Sequence, residues 1–104
     1  MIRKLAEELM IHVYYPVSAV ISMDDAGNCL RVRMFDTLFA GEAMAVHPDA
    51  ALVYLMSNHP EGWKEPYPQD LENIEALKTK MPGLEVHLII TGEDIGCIEI
   101  PFPA

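Results

Sequence analysis

The sequence predicts an α/β domain, a mixed β-sheet flanked by helices, and three observations carry that expectation. Helix-spaced and strand-like apolar segments follow one another in the order α-β-β-α-β-α-β-β. One segment, "AALVYLMS", is apolar throughout over strand length, as in a strand covered on both faces. The chain has 104 residues, enough for one hydrophobic core but not two, so a single domain over 1–104 is expected.

The elements follow in order. In "MIRKLAEELMIH", Ile2, Leu5, Ala6, Leu9 and Met10 recur at helical spacing with Arg3, Lys4, Glu7 and Glu8 on the other side, which predicts an opening amphipathic helix. Glu7 and Glu8 also break the apolar block that a signal peptide needs. "VSAVIS" and "CLRVRM" are β-rich runs joined by "MDDAGN", whose Asp, Gly and Asn residues favour a tight turn, so they predict a hairpin. Arg31 and Arg33 alternate with Leu30, Val32 and Met34, placing one face of the second strand in water. "TLFAGEAMAV" has Leu38, Phe39, Ala43 and Val46 at roughly helical intervals and predicts a short helix before "HPD".

After the "AALVYLMS" strand, "PQDLENIEALKTKM" predicts a helix. Leu71, Ile74 and Leu77 lie on one stripe, with Asp70 and Glu72 near its start and Lys78 and Lys80 near its end, as the helix dipole favours. Pro82 and Gly83 stop it. "LEVHLIIT" and "GCIEIPF" predict two last strands around the acidic turn "GEDI".

Composition narrows the function classes. No apolar run approaches the roughly 18 residues of a membrane span, and a cytoplasmic protein is expected. Seven Lys and Arg against sixteen Asp and Glu give a formal charge of −9, which repels phosphate backbones and anionic lipid. Nucleic acid and membrane are therefore not expected as partners, and the acidic surface suits a basic one. Cys29 and Cys97 lack CxxC spacing and sit in β-like runs, the pattern of buried thiols rather than a metal or redox pair.

The chemistry-bearing stretch is "MSNHPEGWKEPYPQDL", Met56 to Leu71. His59 stands just past the C-terminal end of an apolar strand, the edge at which ligands gather in sheets flanked by helices. Asp70 opens the following helix, where a carboxylate accepts backbone N–H bonds and contributes ~1 kcal/mol.

From Ser57 to Asp70 this stretch resembles the JAB/MPN metalloprotease signature, a His-x-His-Pro run followed by a serine and then an aspartate at fixed spacing. Gly62, Pro66 and Pro68 ahead of the acidic helix start look most like the RadC branch, and "VHP" and "VHLII" are similar to RadC-type sequences. The element order also fits that family's cytidine-deaminase-like fold. In active members two histidines and the aspartate hold zinc with a water in the fourth position, a glutamate from an earlier strand is the general base, and the serine stabilises the oxyanion.

The resemblance carries over only residue by residue. His59 matches the second histidine and Asp70 the aspartate, but Ser57 stands at the first histidine, Tyr67 at the serine and Ser18 at the glutamate. A serine hydroxyl is a poor zinc ligand beside imidazole, and its proton is too tightly held for a base near neutral pH. The resemblance therefore implies a non-catalytic JAB/MPN-like domain with a degenerate metal motif and no cofactor. It would act through protein contacts, with a ubiquitin-like protein, a catalytic relative or a second copy as partner. The alternative is a zinc-dependent peptidase or isopeptidase whose ligand set, His59 and Asp70, is completed by His87, Glu42 or a partner's residue.

Other residues have plainer readings. His87, inside an apolar strand, reads as a satisfied core histidine, and His12 and His47 border loops. Trp63 and Tyr67 are not needed to make a loop, so they mark a contact surface, with Trp63 folded over a vacated pocket as the other reading.

Overall fold

The structure is a computed structural model that describes residues 17–36, 46–59, 61–92 and 96–103. The expected helix over 1–12 and that over 37–46 up to residue 45, and with it Glu42, lie outside the described residues, while Val46 is described and buried. The described residues contain five strands, β1 (Val17–Met23), β2 (Cys29–Asp36), β3 (Leu52–Asn58), β4 (Glu85–Gly92) and β5 (Gly96–Phe102), and one helix, α1 (Pro68–Lys80), between β3 and β4. All five fall where the apolar runs placed them.

They form one mixed sheet in the order β2-β1-β3-β4-β5. β1 pairs antiparallel with both β2 and β3, β3 pairs parallel with β4 through the α1 crossover, and β4 pairs antiparallel with β5. A parallel pair cannot be closed by a tight turn, and α1 supplies the crossover it needs. The β1–β2 hairpin is closed by Asp24, whose carboxylate accepts the backbone N–H of Ala26 at 3.0 Å and of Asn28 at 2.8 Å. These bonds, led by one from the Asn28 side chain, hold the Asp24 carboxyl below its ordinary range.

Both faces of the central strands are buried. On the α1 side Val20, Leu55, Leu88 and Ile90 pack with Ile74 and Leu77. On the other side Ala19, Ile21, Met56 and Ile89 are fully buried. This two-sided burial explains why "LVYLM" reads as a continuous apolar run rather than an alternating one.

Three expectations are corrected. Leu71 is 47 % exposed, and the inward stripe of α1 is Asp70, Asn73, Ile74 and Leu77, so its first turn presents polar groups to the sheet. Cys29 is exposed and Cys97 only half-buried, because Cys29 opens an edge strand rather than a central one. His87 is no core histidine: it lies half-buried on a sheet face, 2.8 Å from Glu99 and 3.2 Å from Glu85, with its ring edge-on to Tyr54.

Candidate functional site

The residues of the signature meet at the C-terminal end of β3. Ser18 on β1 is the direct cross-strand partner of Ser57 on β3, so both point to the α1 side of the sheet, and both are fully buried. His59 follows two residues on, at the mouth of the same face. Its backbone N–H donates to the Thr91 carbonyl at 2.7 Å, extending the β3–β4 pairing past the last assigned residue of β3. Asp70 reaches the same place from the first turn of α1. The strand register and the helix start thus bring together Ser18, Ser57, His59 and Asp70 from 53 residues of chain.

The His59 ring makes two hydrogen bonds. Nε2 lies 3.0 Å from Asp70 Oδ2 and Nδ1 lies 2.6 Å from the Trp63 carbonyl oxygen. A carbonyl can only accept, so Nδ1 carries a proton and donates it. Asp70 Oδ2 also accepts the Tyr67 backbone N–H at 2.9 Å, which joins the helix start to the histidine through one carboxylate oxygen. The Nε2···Oδ2 contact pairs the imidazole with the carboxyl group. That suits two side chains with no exposed surface, since an uncompensated charge there would be costly.

Tyr67 closes the site. Its ring stacks on His59 with centroids 3.8 Å apart and planes 24° from parallel. Its hydroxyl donates to Glu61 Oε1 at 3.1 Å across the loop. Burial above all, and then the bond to Glu61 with the negative charges of Glu61 and Asp70, push its phenol up to about 12. Gly62 completes the turn: its N–H donates to the His59 carbonyl at 2.9 Å and its φ of +81° is one that other residues adopt only with strain.

Trp63 has the opposite role from Tyr67. Its carbonyl is fixed by His59, yet its side chain is 53 % exposed beside a cleft of ≈ 320 Å³ lined by Gly62, Trp63, Lys64 and Glu65. The covering role that the sequence offered to Trp63 belongs to Tyr67. A larger cleft, ≈ 380 Å³, opens at the far end of the sheet among Met23, Asp24, Leu52 and Glu85, away from His59.

A catalytic zinc needs three protein donors with lone pairs directed at the ion. Here Nδ1 of His59 is protonated, Nε2 is committed to Asp70, and Ser57 offers a hydroxyl. His87 cannot complete the set, because it pairs with Tyr54 in the register and so lies on the opposite face of the sheet from Ser57. No cluster of three or more His, Cys, Asp or Glu suited to a metal ion occurs among the described residues. His59 and Asp70 direct their polar atoms at each other rather than at a common point. Two polar atoms at this corner, Ser57 Oγ and Asp70 Oδ1, are buried with no hydrogen-bond partner among the described residues. The bonds to Nδ1 and the stacking of Tyr67 lay beyond sequence reasoning; only the proximity of His59 and Asp70 could be read, and that from the spacing of the signature.

The fold and site together define an α/β domain whose strand-end corner is closed by its own hydrogen bonds. Comparison with protein-family models, curated proteins and solved structures returned no match to this chain.

Proposed function

We propose that the chain is a non-catalytic domain of JAB/MPN-like architecture that works through protein contacts, and that the loop from Glu61 to Tyr67 is its docking surface. The observation that carries this reading is the division of labour around His59. Both ring nitrogens and one ring face are used to hold the loop, and the loop in turn presents a half-exposed tryptophan. Large exposed aromatics on a pre-shaped backbone are the usual anchors of protein interfaces, because little entropy is lost on docking. Pro66 and Pro68 restrict the same segment further.

The order of motif residues supports the JAB/MPN-like part of the proposal. Ser18 and Ser57 stand side by side on neighbouring strands with His59 and Asp70 adjoining, the spatial arrangement that the resemblance implies for base, first ligand, second ligand and third ligand. Partners of the expected classes are a ubiquitin-like protein, a catalytic relative or a second copy of this chain.

The test is Trp63→Ala, followed by sedimentation of the chain alone and with ubiquitin. Association should weaken by roughly 2 kcal/mol while the melting temperature stays nearly unchanged. A large fall in melting temperature with association intact would overturn the docking role. Metal analysis of protein purified without added zinc tests the non-catalytic part: near-stoichiometric zinc that disappears in His59→Ala would refute it.

A further inference from the structure

We propose that the outer edge of β2 is a second docking surface, which takes an extended acidic segment of a partner protein as an added antiparallel or parallel strand. β2 is a terminal strand, bonded to β1 on one side and to no strand on the other among the described residues. A free edge presents a row of backbone donors and acceptors that a peptide can extend. The opposite terminal strand, β5, contains Pro101, which lacks an N–H and interrupts any such row. Among the described residues β2 is the edge able to accept a strand, over Arg31 to Asp36, beyond the register shift that leaves Leu30 unpaired.

Its side chains select the partner. Val32 is 44 % exposed and Met34 50 %, an apolar pair on one face of the edge strand. Arg31 and Arg33 alternate with them on the other face, opposite Ser22 and Val20 of β1. Two of the seven Lys and Arg residues of a chain with net charge −9 are thus neighbours on a single strand. An incoming strand lies side by side with both rows, so it needs carboxylates facing the arginines and apolar groups facing Val32 and Met34.

The same geometry disfavours a second copy of this chain. A two-fold antiparallel pairing of β2 with itself keeps each face in register with the same face of its mate. Centred on Val32 it sets Arg31 against Arg33, and centred on Arg33 it sets Arg33 against itself. Like charges directly opposite one another destabilise a strand pair. Only pairings shifted to centre on Met34 or Leu30, which use part of the strand, avoid this, so the arginines disfavour full-length self-pairing while leaving the edge open to an acidic strand.

The experiment uses the whole chain and three labelled, acetylated peptides read by fluorescence anisotropy: one alternating glutamate and valine, one alternating lysine and valine, and the glutamate–valine peptide with every backbone nitrogen methylated. The first should bind saturably and more weakly as salt rises, the second at least about tenfold less tightly, and the third not at all. The double variant Arg31→Glu, Arg33→Glu, checked for folding by circular dichroism, should reverse the preference between the first two. Trp63→Ala should leave it intact, which separates this surface from the loop. No binding by the glutamate–valine peptide, equal binding of the two charge types by the wild-type chain, or retained binding after methylation would overturn the proposal. So would self-association of the chain that Met34→Glu abolishes, since that would assign the edge to a second copy.

Discussion

His59 holds three things at once: Asp70 at the head of α1, the Trp63 carbonyl in the loop, and the Tyr67 ring. Replacing it with alanine removes a fully buried ring and leaves Asp70 Oδ2 with only the Tyr67 N–H as partner. We expect His59→Ala to cost about 3–5 kcal/mol in urea unfolding, the range for breaking a buried pair from one side. It should also weaken any association through Trp63, since the loop loses its tether. A negligible loss would show that the pair is not a brace. Tyr67 supplies a pH test. Its folded phenol titrates at about 12 against an ordinary value of 10.0, so the folded state holds the proton more tightly than the unfolded chain. The stability this contributes is complete below the unfolded value and is lost as pH rises from there through the folded one. Tyr67→Phe should therefore flatten the alkaline loss of stability in that window, and an unchanged profile would remove Tyr67 as its source. Very little of this was legible in the sequence, where Tyr67 is an aromatic at a position that the resemblance assigns to serine, and no neighbour that it stacks on can be read from one chain.

The strands were the legible elements, because a run such as "LVYLM" has few uses other than a strand buried on both faces, and "GCIEIPF" alternates as an edge strand should. α1 was legible in its extent but not in its orientation. Leu71, Ile74 and Leu77 make a plausible apolar stripe, yet the bond from Asp70 to His59 turns Asp70 inward, and Leu71, about 100° further round, then faces water. A polar tether at the first turn outweighed one leucine. The consequence is measurable. Leu71→Glu should change stability by no more than about 0.5 kcal/mol, as surface substitutions do, whereas Leu77→Ala, at a residue 1 % exposed, should cost about 2–5 kcal/mol. Comparable losses at the two positions would mean that the helix is rotated from the orientation described. The exposed Cys29 and the surface position of His87 were missed for a related reason: an apolar sequence context reports that a strand exists, not whether it lies at the edge or at the centre of its sheet.

At the scale of the whole molecule, the sheet order places β1 beside β3, and so sets Ser18 against Ser57 across the two strands that the JAB/MPN resemblance assigns to base and first ligand. Each substitution of the signature can then be reversed in place. Ser57 is fully buried, so Ser57→His must force a larger ring into a packed corner, and without metal it should destabilise by about 1–3 kcal/mol. Zinc binding to the folded state alone would offset that loss by mass action, provided the His59–Asp70 bond opens and frees Nε2 and a carboxylate oxygen as the second and third donors. The expected result is a melting temperature that rises with added zinc in Ser57→His and not in the wild type. Hydrolysis of a peptide or isopeptide bond should still be absent, because the hydroxyl of Ser18 is far too weak a base, and should require Ser18→Glu as well. A wild-type chain stabilised by zinc as strongly as Ser57→His would refute the reading of a closed corner. Cleavage by Ser57→His alone would show that the general base stands somewhere other than position 18, and since residues 37–45 include Glu42, that carboxylate would be the first to replace with glutamine.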